Sequence, residues 1–249
     1  MDEEKKLSIL AHLKELRQRL LVSVIVVVCT TIISFPISKC VFNFFKSRAP
    51  GIELVYISVT EMLTTYMKLS LYLGIALALP FIMYEILIFV APALNPKEKR
   101  YVYPFIFGGG LLFLCGVLFS YFVLLPPALK FLLSIGGDIA RPMISVGSYV
   151  SVLCQLLFWT GIVFEIPLVM YFLSRFGVVS PASFSRNRKW AVVLAFILAA
   201  LITPTVDPIN QTIVAVPIIL LYETGIWLAK LARLGSKPQI ATSEVQVQQ

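Results

Sequence analysis

Histidine is almost missing from this chain: His12 is alone among 249 residues. A histidine-based metal site or catalytic triad has too little to be built from, and neither an HExxH nor a GxSxG string occurs. No nucleotide-binding motif is present either, so neither an enzyme nor a cofactor is expected. Charge is scarce as well. Asp, Glu, Lys and Arg make up 14% of the residues, against about a quarter in soluble domains, which excludes an ordinary soluble fold. The four cysteines form no disulfide framework, since Cys29, Cys115 and Cys154 sit in apolar runs and Cys40 stands alone in an expected loop. No small-residue cleavage site closes the first apolar run, so it is expected to remain as a span.

What the chain has instead is long apolar stretches. It is 59% hydrophobic with a mean hydropathy of +0.90, and its charges cluster between the runs. This pattern predicts an all-α membrane protein with six transmembrane helices. Expected spans are about Leu20 to Phe35, Lys68 to Val90, Pro104 to Leu125, and Val150 to Leu173, then two short ones. Pro36 is expected to end the first span, and Pro126 with Pro127 the third. Lys189 and Thr203 bracket only thirteen residues of the fifth, roughly 20 Å of helix against about 30 Å of hydrocarbon. The sixth runs from about Thr212 to Ala229. This short hairpin is expected to be half-inserted or to thin the bilayer locally. Before the first span, residues 7–19 carry Leu10, Leu13 and Leu16 at helical spacing, which predicts an amphipathic segment on the membrane surface. One domain, 1–233, is expected, followed by a disordered cytoplasmic tail at 234–249.

The net charge of +8 would suggest nucleic acid as a partner for a soluble protein; here the positive-inside bias is the simpler cause, and no nucleic acid is expected. With the N-terminus inside, fifteen of the 21 Lys and Arg residues fall on inner segments. Both termini are therefore expected in the cytoplasm. No internal repeat of the kind found in secondary transporters is evident. Gly108, Gly109, Gly110 and Gly116 offer a smooth face for close helix approach on the third span.

Two short segments carry a carboxylate in a basic setting: AHLKELRQRL at 11–20 with Glu15, and FVAPALNPKEKRY at 89–101 with Glu98. One reading is a pair of surface ion pairs worth under about 1 kcal/mol each; the other is a single recognition surface on one side of the membrane. Glu85, Glu165 and Glu223 fall inside apolar runs, where ionisable groups cost several kcal/mol. Glu85 lies near the inner end of its span. Glu165, two residues before the helix-kinking Pro167, either hydrogen-bonds within the bundle, with Glu223 or Gln155 as candidate partners, or faces a groove that a partner's segment enters.

Four stretches stand in a characteristic order on the spans: HLKELRQRL at 12–20, FVAPALNPKEKR at 89–100, FEIP around Glu165, and TPTVDPINQT at 203–212. Together they resemble the TatC family, the polytopic core of the twin-arginine protein translocase, over nearly the whole chain up to about Arg233. The resemblance implies a concave, glove-like bundle in a bacterial inner membrane. It also implies a receptor for twin-arginine signal peptides of folded cargo, working with the single-span subunits TatA and TatB, within a complex that includes further copies of the chain, and driven by the proton-motive force. By the same resemblance Glu15 and Glu98 receive the two arginines, with Leu16, Arg17, Phe89, Pro92 and Leu94 around them. Glu165 is implied to face the concave side, and Thr203, Pro204 and Gln211 to form a polar patch for the single-span partners. Glu85 stands where the family often has glutamine. The alternative from composition alone is a small-solute secondary transporter, which needs a polar path through one bundle.

Overall fold

The computed structural model describes residues 2–47, 54–90, 102–134, 143–203 and 207–234. Helix dominates because, in hydrocarbon, each backbone N–H and C=O has to be bonded within its own segment. The chain opens with two antiparallel helices, α1 (Asp2–Lys46) and α2 (Glu61–Val90). Their crossing is set by Gly74: a Cβ there would lie 2.6 Å from the Thr31 Cα. Without one, the Thr30 hydroxyl donates to the Gly74 carbonyl at 2.8 Å. From this point the two helices stay in contact both ways. Arg19 meets Glu85 toward one end, and Phe42 packs edge-to-face on Tyr66, ring centroids 5.9 Å apart, toward the other.

Pro36 does not end the first helix. It lies inside α1, which continues to Lys46, and Phe42 and Phe45, expected in a loop, are buried on its last turns. Residues 7–19 likewise belong to this one unbroken helix. Pro126 and Pro127 do not stop the third span either. The rod α3 (Val102–Phe119) passes through a π-helical turn, Ser120–Leu124, into α4 (Leu125–Ser134). The Leu125 N–H bonds back to the Ser120 carbonyl. That wider turn absorbs the two missing proline donors at the start of α4. In both places an unwound chain would leave more polar groups unsatisfied than a proline does.

Pro167 does break its helix. The fourth span divides into α5 (Val146–Val163) and α6 (Ile166–Arg175), with Phe164 and Glu165 between them. A short α7 (Pro181–Arg186) leads to α8 (Arg188–Ile202) and α9 (Pro208–Leu234). A parallel two-residue pair, β1 (Leu54–Val55) with β2 (Ile144–Ser145), ties the segments ahead of α2 and α5. Beside it Glu61 accepts the Gly147 N–H and the Ile57 N–H, each at 2.7 Å. The carboxylate at the start of α2 thereby satisfies a donor in the first turn of α5 and one in the segment ahead of α2. The sequence reading missed this clamp.

Packing rather than hydrophobicity holds helices together in lipid. Leu69, Tyr121, Leu124, Leu153, Leu156, Ile202 and Ala215 share the main buried cluster, and Leu87, Phe105 and Phe172 form a second, smaller one. Of the glycine face, Gly109 and Gly116 are used. A Cβ on Gly116 would come within 2.9 Å of the Gly161 Cα, whereas one on Gly108 would meet nothing within 4 Å.

Among the described residues five helical segments are long and apolar enough to cross a membrane, beginning at Leu13, Glu61, Pro104, Val146 and Pro208. The other expected span, α8, has 15 residues, about 22 Å, and is short as read. The last helix corrects the expectation of two short helices. α9 has 27 residues, beginning before Thr212 and running past Ala229. Only its part before Glu223, residues 208–222, is uncharged. The rest continues along α6, where the Ser174 hydroxyl donates to the Ala229 carbonyl at 3.0 Å and Arg175 to the Ala232 carbonyl at 2.8 Å.

Candidate functional site

The α1–α2 register carries Glu15 and Arg19 to the last turns of α2. Glu15 and Arg19 are one helical turn apart, so their side chains meet on one face. Arg19 donates from Nε at 3.0 Å and from Nη2 at 2.6 Å to Glu15 Oε1, and from Nη1 at 3.0 Å to Glu85 Oε2. One guanidinium thus bridges carboxylates of two helices. Leu16 and Arg17 are exposed beside this group, and Phe89 is half-buried near the end of α2. Glu98, Pro92 and Leu94 lie outside the described residues, in the segment that directly follows Val90.

The bridge is what sequence reasoning missed. Glu85, near the inner end of its span, is paired across the helix crossing. Its signal was weak but present: Arg19 and Glu85 are opposite charges near the same ends of two consecutive antiparallel spans.

Glu165 sits in the break that Pro167 creates. Its N–H bonds to the Ile162 carbonyl at 3.0 Å, and its own carbonyl accepts from Val169 at 2.9 Å. The side chain is buried, at 9% exposure, and among the described residues neither carboxyl oxygen has a hydrogen-bond partner. It lies against α3, where a Cβ on Gly109 would come within 3.1 Å of Oε2 and collide with Met83. The expected partners are engaged elsewhere. Gln155 donates to the Leu201 carbonyl at 2.9 Å. Glu223 forms a fork with Arg188, at 2.8 Å from Nε and 2.9 Å from Nη2.

The polar residues of the last hairpin serve its own backbone. The buried Thr203 hydroxyl donates to the Ala199 carbonyl at 2.9 Å, and Gln211 donates across to the Phe196 carbonyl of α8, also at 2.9 Å. Asp207 caps α9 by accepting the Asn210 N–H at 2.7 Å, with Pro208 at the first helical position. Pro204 lies outside the described residues. The structure therefore brings Glu15, Arg19 and Glu85 together at one site and the Thr203 and Gln211 region at another. Glu165 lies apart from both, inside the bundle.

Residues 11–217 match the family model described as Sec-independent protein translocase protein (TatC). A Sec-independent protein translocase protein TatC from Carboxydothermus hydrogenoformans is 38% identical over 233 residues, covering 93% of this chain and 96% of its own length. The protein of that name from Aquifex aeolicus is 41% identical over 232 residues, covering 91% and 96%. A crystal structure described as a twin arginine translocase receptor, TatC, superposes with a TM-score of 0.80 at 41% identity, covering 89% of this chain and 99% of its own.

Proposed function

Because this chain belongs to the TatC family of Sec-independent protein translocase proteins, we propose that the α1–α2 end of the bundle is a receptor for twin-arginine signal peptides. The chain is a multi-pass membrane component of that translocation machinery. The finer reading is that Glu15 and Glu98 each take one arginine of the signal, while TatB and TatA dock at the Thr203, Pro204 and Gln211 region. Folded cargo then crosses a bacterial inner membrane at the expense of the proton-motive force. The observation that carries this reading is the Arg19 guanidinium held between Glu15 and Glu85. The face already binds an arginine side chain with carboxylates from two helices. Arginine suits such a site because its planar fork pairs with several acceptor oxygens at once.

Photocrosslinking in native membranes tests the reading. A photoreactive residue at position 98 should capture a twin-arginine substrate, and one at position 165 should capture a single-span partner. No capture at 98 with or without substrate would overturn the receptor assignment.

The direction of the bundle follows from the charge bias, with Glu15 and Glu98 in the cytoplasm. Cys40 is exposed on the final turns of α1 and is placed outside by this topology. A membrane-impermeant thiol reagent added outside should label Cys40, and the signal should vanish in Cys40→Ser. Labelling from the cytoplasmic side alone would invert the topology.

A further inference from the structure

We propose that a basic notch at the inner end of α7, α8 and α9 holds the headgroup of an anionic phospholipid. The proposal needs only that the chain spans a membrane, and not the receptor reading above. The notch follows from the register of α9 on α6. A Cβ on Gly225 would come within 3.2 Å of the Pro167 Cα, and the Ser174 hydroxyl reaches the Ala229 carbonyl, so the two helices run side by side in one direction. Glu223 therefore stands near the level of Pro167. Beyond that level α6 continues to Arg175 and α9 to Leu234, about 12 Å of helix. α8 does not follow them. Arg188, its first residue, is forked to Glu223. Phe184 of α7 lies at this level too, where its carbonyl accepts from the Tyr222 hydroxyl at 3.0 Å. The inner end thus has a ledge, made by α7 and the start of α8, beside a taller wall of α9.

The ledge carries Arg186, Arg188 and Lys189, all exposed, and Lys230 is exposed on the wall. Trp227 and Lys230 follow Glu223 by one and two helical turns, so they share its face. Among the described residues Arg186, Lys189 and Lys230 have no hydrogen-bond or ion-pair partner, and Glu223 is the one carboxylate at this end of α7, α8 and α9. Positive charge is in excess even before Arg175 and Arg233 at the helix ends are counted. Trp190 and Trp227 are 60% and 69% exposed, with Leu228 and Leu231 also exposed on α9. Cations set this far below the ends of two packed helices are costly in hydrocarbon unless a polar group reaches them. A phosphodiester supplies that group, and indole rings settle where headgroup meets acyl chain. A soluble anion would use the cations and leave the rings bare. A zwitterionic headgroup would bring a further ammonium into a positive recess. An anionic phospholipid satisfies both the cations and the rings.

Tryptophan fluorescence of the full chain in phosphatidylcholine vesicles tests this. Three tryptophans are present, and Trp159→Phe leaves Trp190 and Trp227 as reporters. A minor fraction of brominated lipid is added as quencher. Brominated phosphatidylglycerol should be enriched beside the rings about fivefold or more over brominated phosphatidylcholine, the factor that one basic residue near a charged lipid surface supplies. Arg186→Gln, Lys189→Gln and Lys230→Gln together should abolish the preference, whereas Lys230→Arg alone should keep it. Removing three exposed cations elsewhere, with Lys39→Gln, Lys46→Gln and Lys130→Gln, should leave it unchanged. Equal quenching by the two lipids, or an equal loss in the two triple variants, overturns the inference. So does displacement of phosphatidylglycerol by millimolar inorganic phosphate at constant ionic strength, which would make this a site for a free anion. None of these outcomes bears on peptide binding at Glu15 and Glu98.

Discussion

Charge reversal at Glu98 is expected to reduce binding of a twin-arginine peptide further than any neutral substitution on the same surface. Glu15→Ala and Glu98→Ala should each weaken binding about tenfold or more, because a charge-assisted pair contributes about 1–3 kcal/mol and 1.4 kcal/mol is tenfold. Glu98→Lys adds repulsion to the lost attraction, in a segment that already holds Lys97, Lys99 and Arg100. Glu15→Ala has a second consequence, since it leaves Arg19 with Glu85. Replacing both peptide arginines by lysine should also lower affinity although charge is kept, because an ammonium has no planar fork. Rising salt should weaken every one of these contacts. The measurement is a double-mutant cycle between each glutamate and each peptide arginine. Additive losses in all pairings would mean that neither carboxylate touches the signal.

Glu165→Leu is expected to stabilise the protein and disable transport. The buried carboxyl has no hydrogen-bond partner among the described residues, a state that costs about 1–3 kcal/mol for a polar group. Leucine removes that cost at similar volume, so thermal unfolding in detergent should move upward. Transport should nonetheless fall about tenfold or more, as loss of a partner contact worth 1.4 kcal/mol would give, with peptide binding unchanged. Natural retention of an unfavourable group at an opened helix is the argument for use. Wild-type transport by both Glu165→Leu and Glu165→Ala would reduce the residue to a packing role.

Much of the architecture was legible because lipid imposes a simple rule: apolar runs of sufficient length become helices. What the rule could not supply was where helices stop. Pro36, Pro126 and Pro127 read as ends and are passed over, whereas Pro167 read as a kink and is one. The difference lies in context. A π-turn precedes Pro126, while before Pro167 the chain tightens, the Glu165 N–H bonding to the Ile162 carbonyl three residues back. The candidate residues were legible through motif and charge, but their pairings were not. Arg19–Glu85 depends on the register that Gly74 sets between α1 and α2. Glu223 binds Arg188 rather than Glu165 because the α8–α9 hairpin brings the start of α8 beside the end of the uncharged part of α9. Neither relation is local in sequence.

The Arg188–Glu223 fork has a consequence for the lipid as much as for the protein. It closes the uncharged part of the α8–α9 hairpin after thirteen residues of α8 and fifteen of α9, about 8–10 Å short of a hydrocarbon layer of about 30 Å. A bilayer closing on this length would compress its acyl chains along this flank, at a fraction of a kcal/mol per Å. The expected border is then an elastic gradient. A neighbour whose own hydrophobic segment is equally short would relieve the strain by sharing the compressed annulus. It would be drawn to this side before any side chain touches, a selection of partners by length as well as by chemistry.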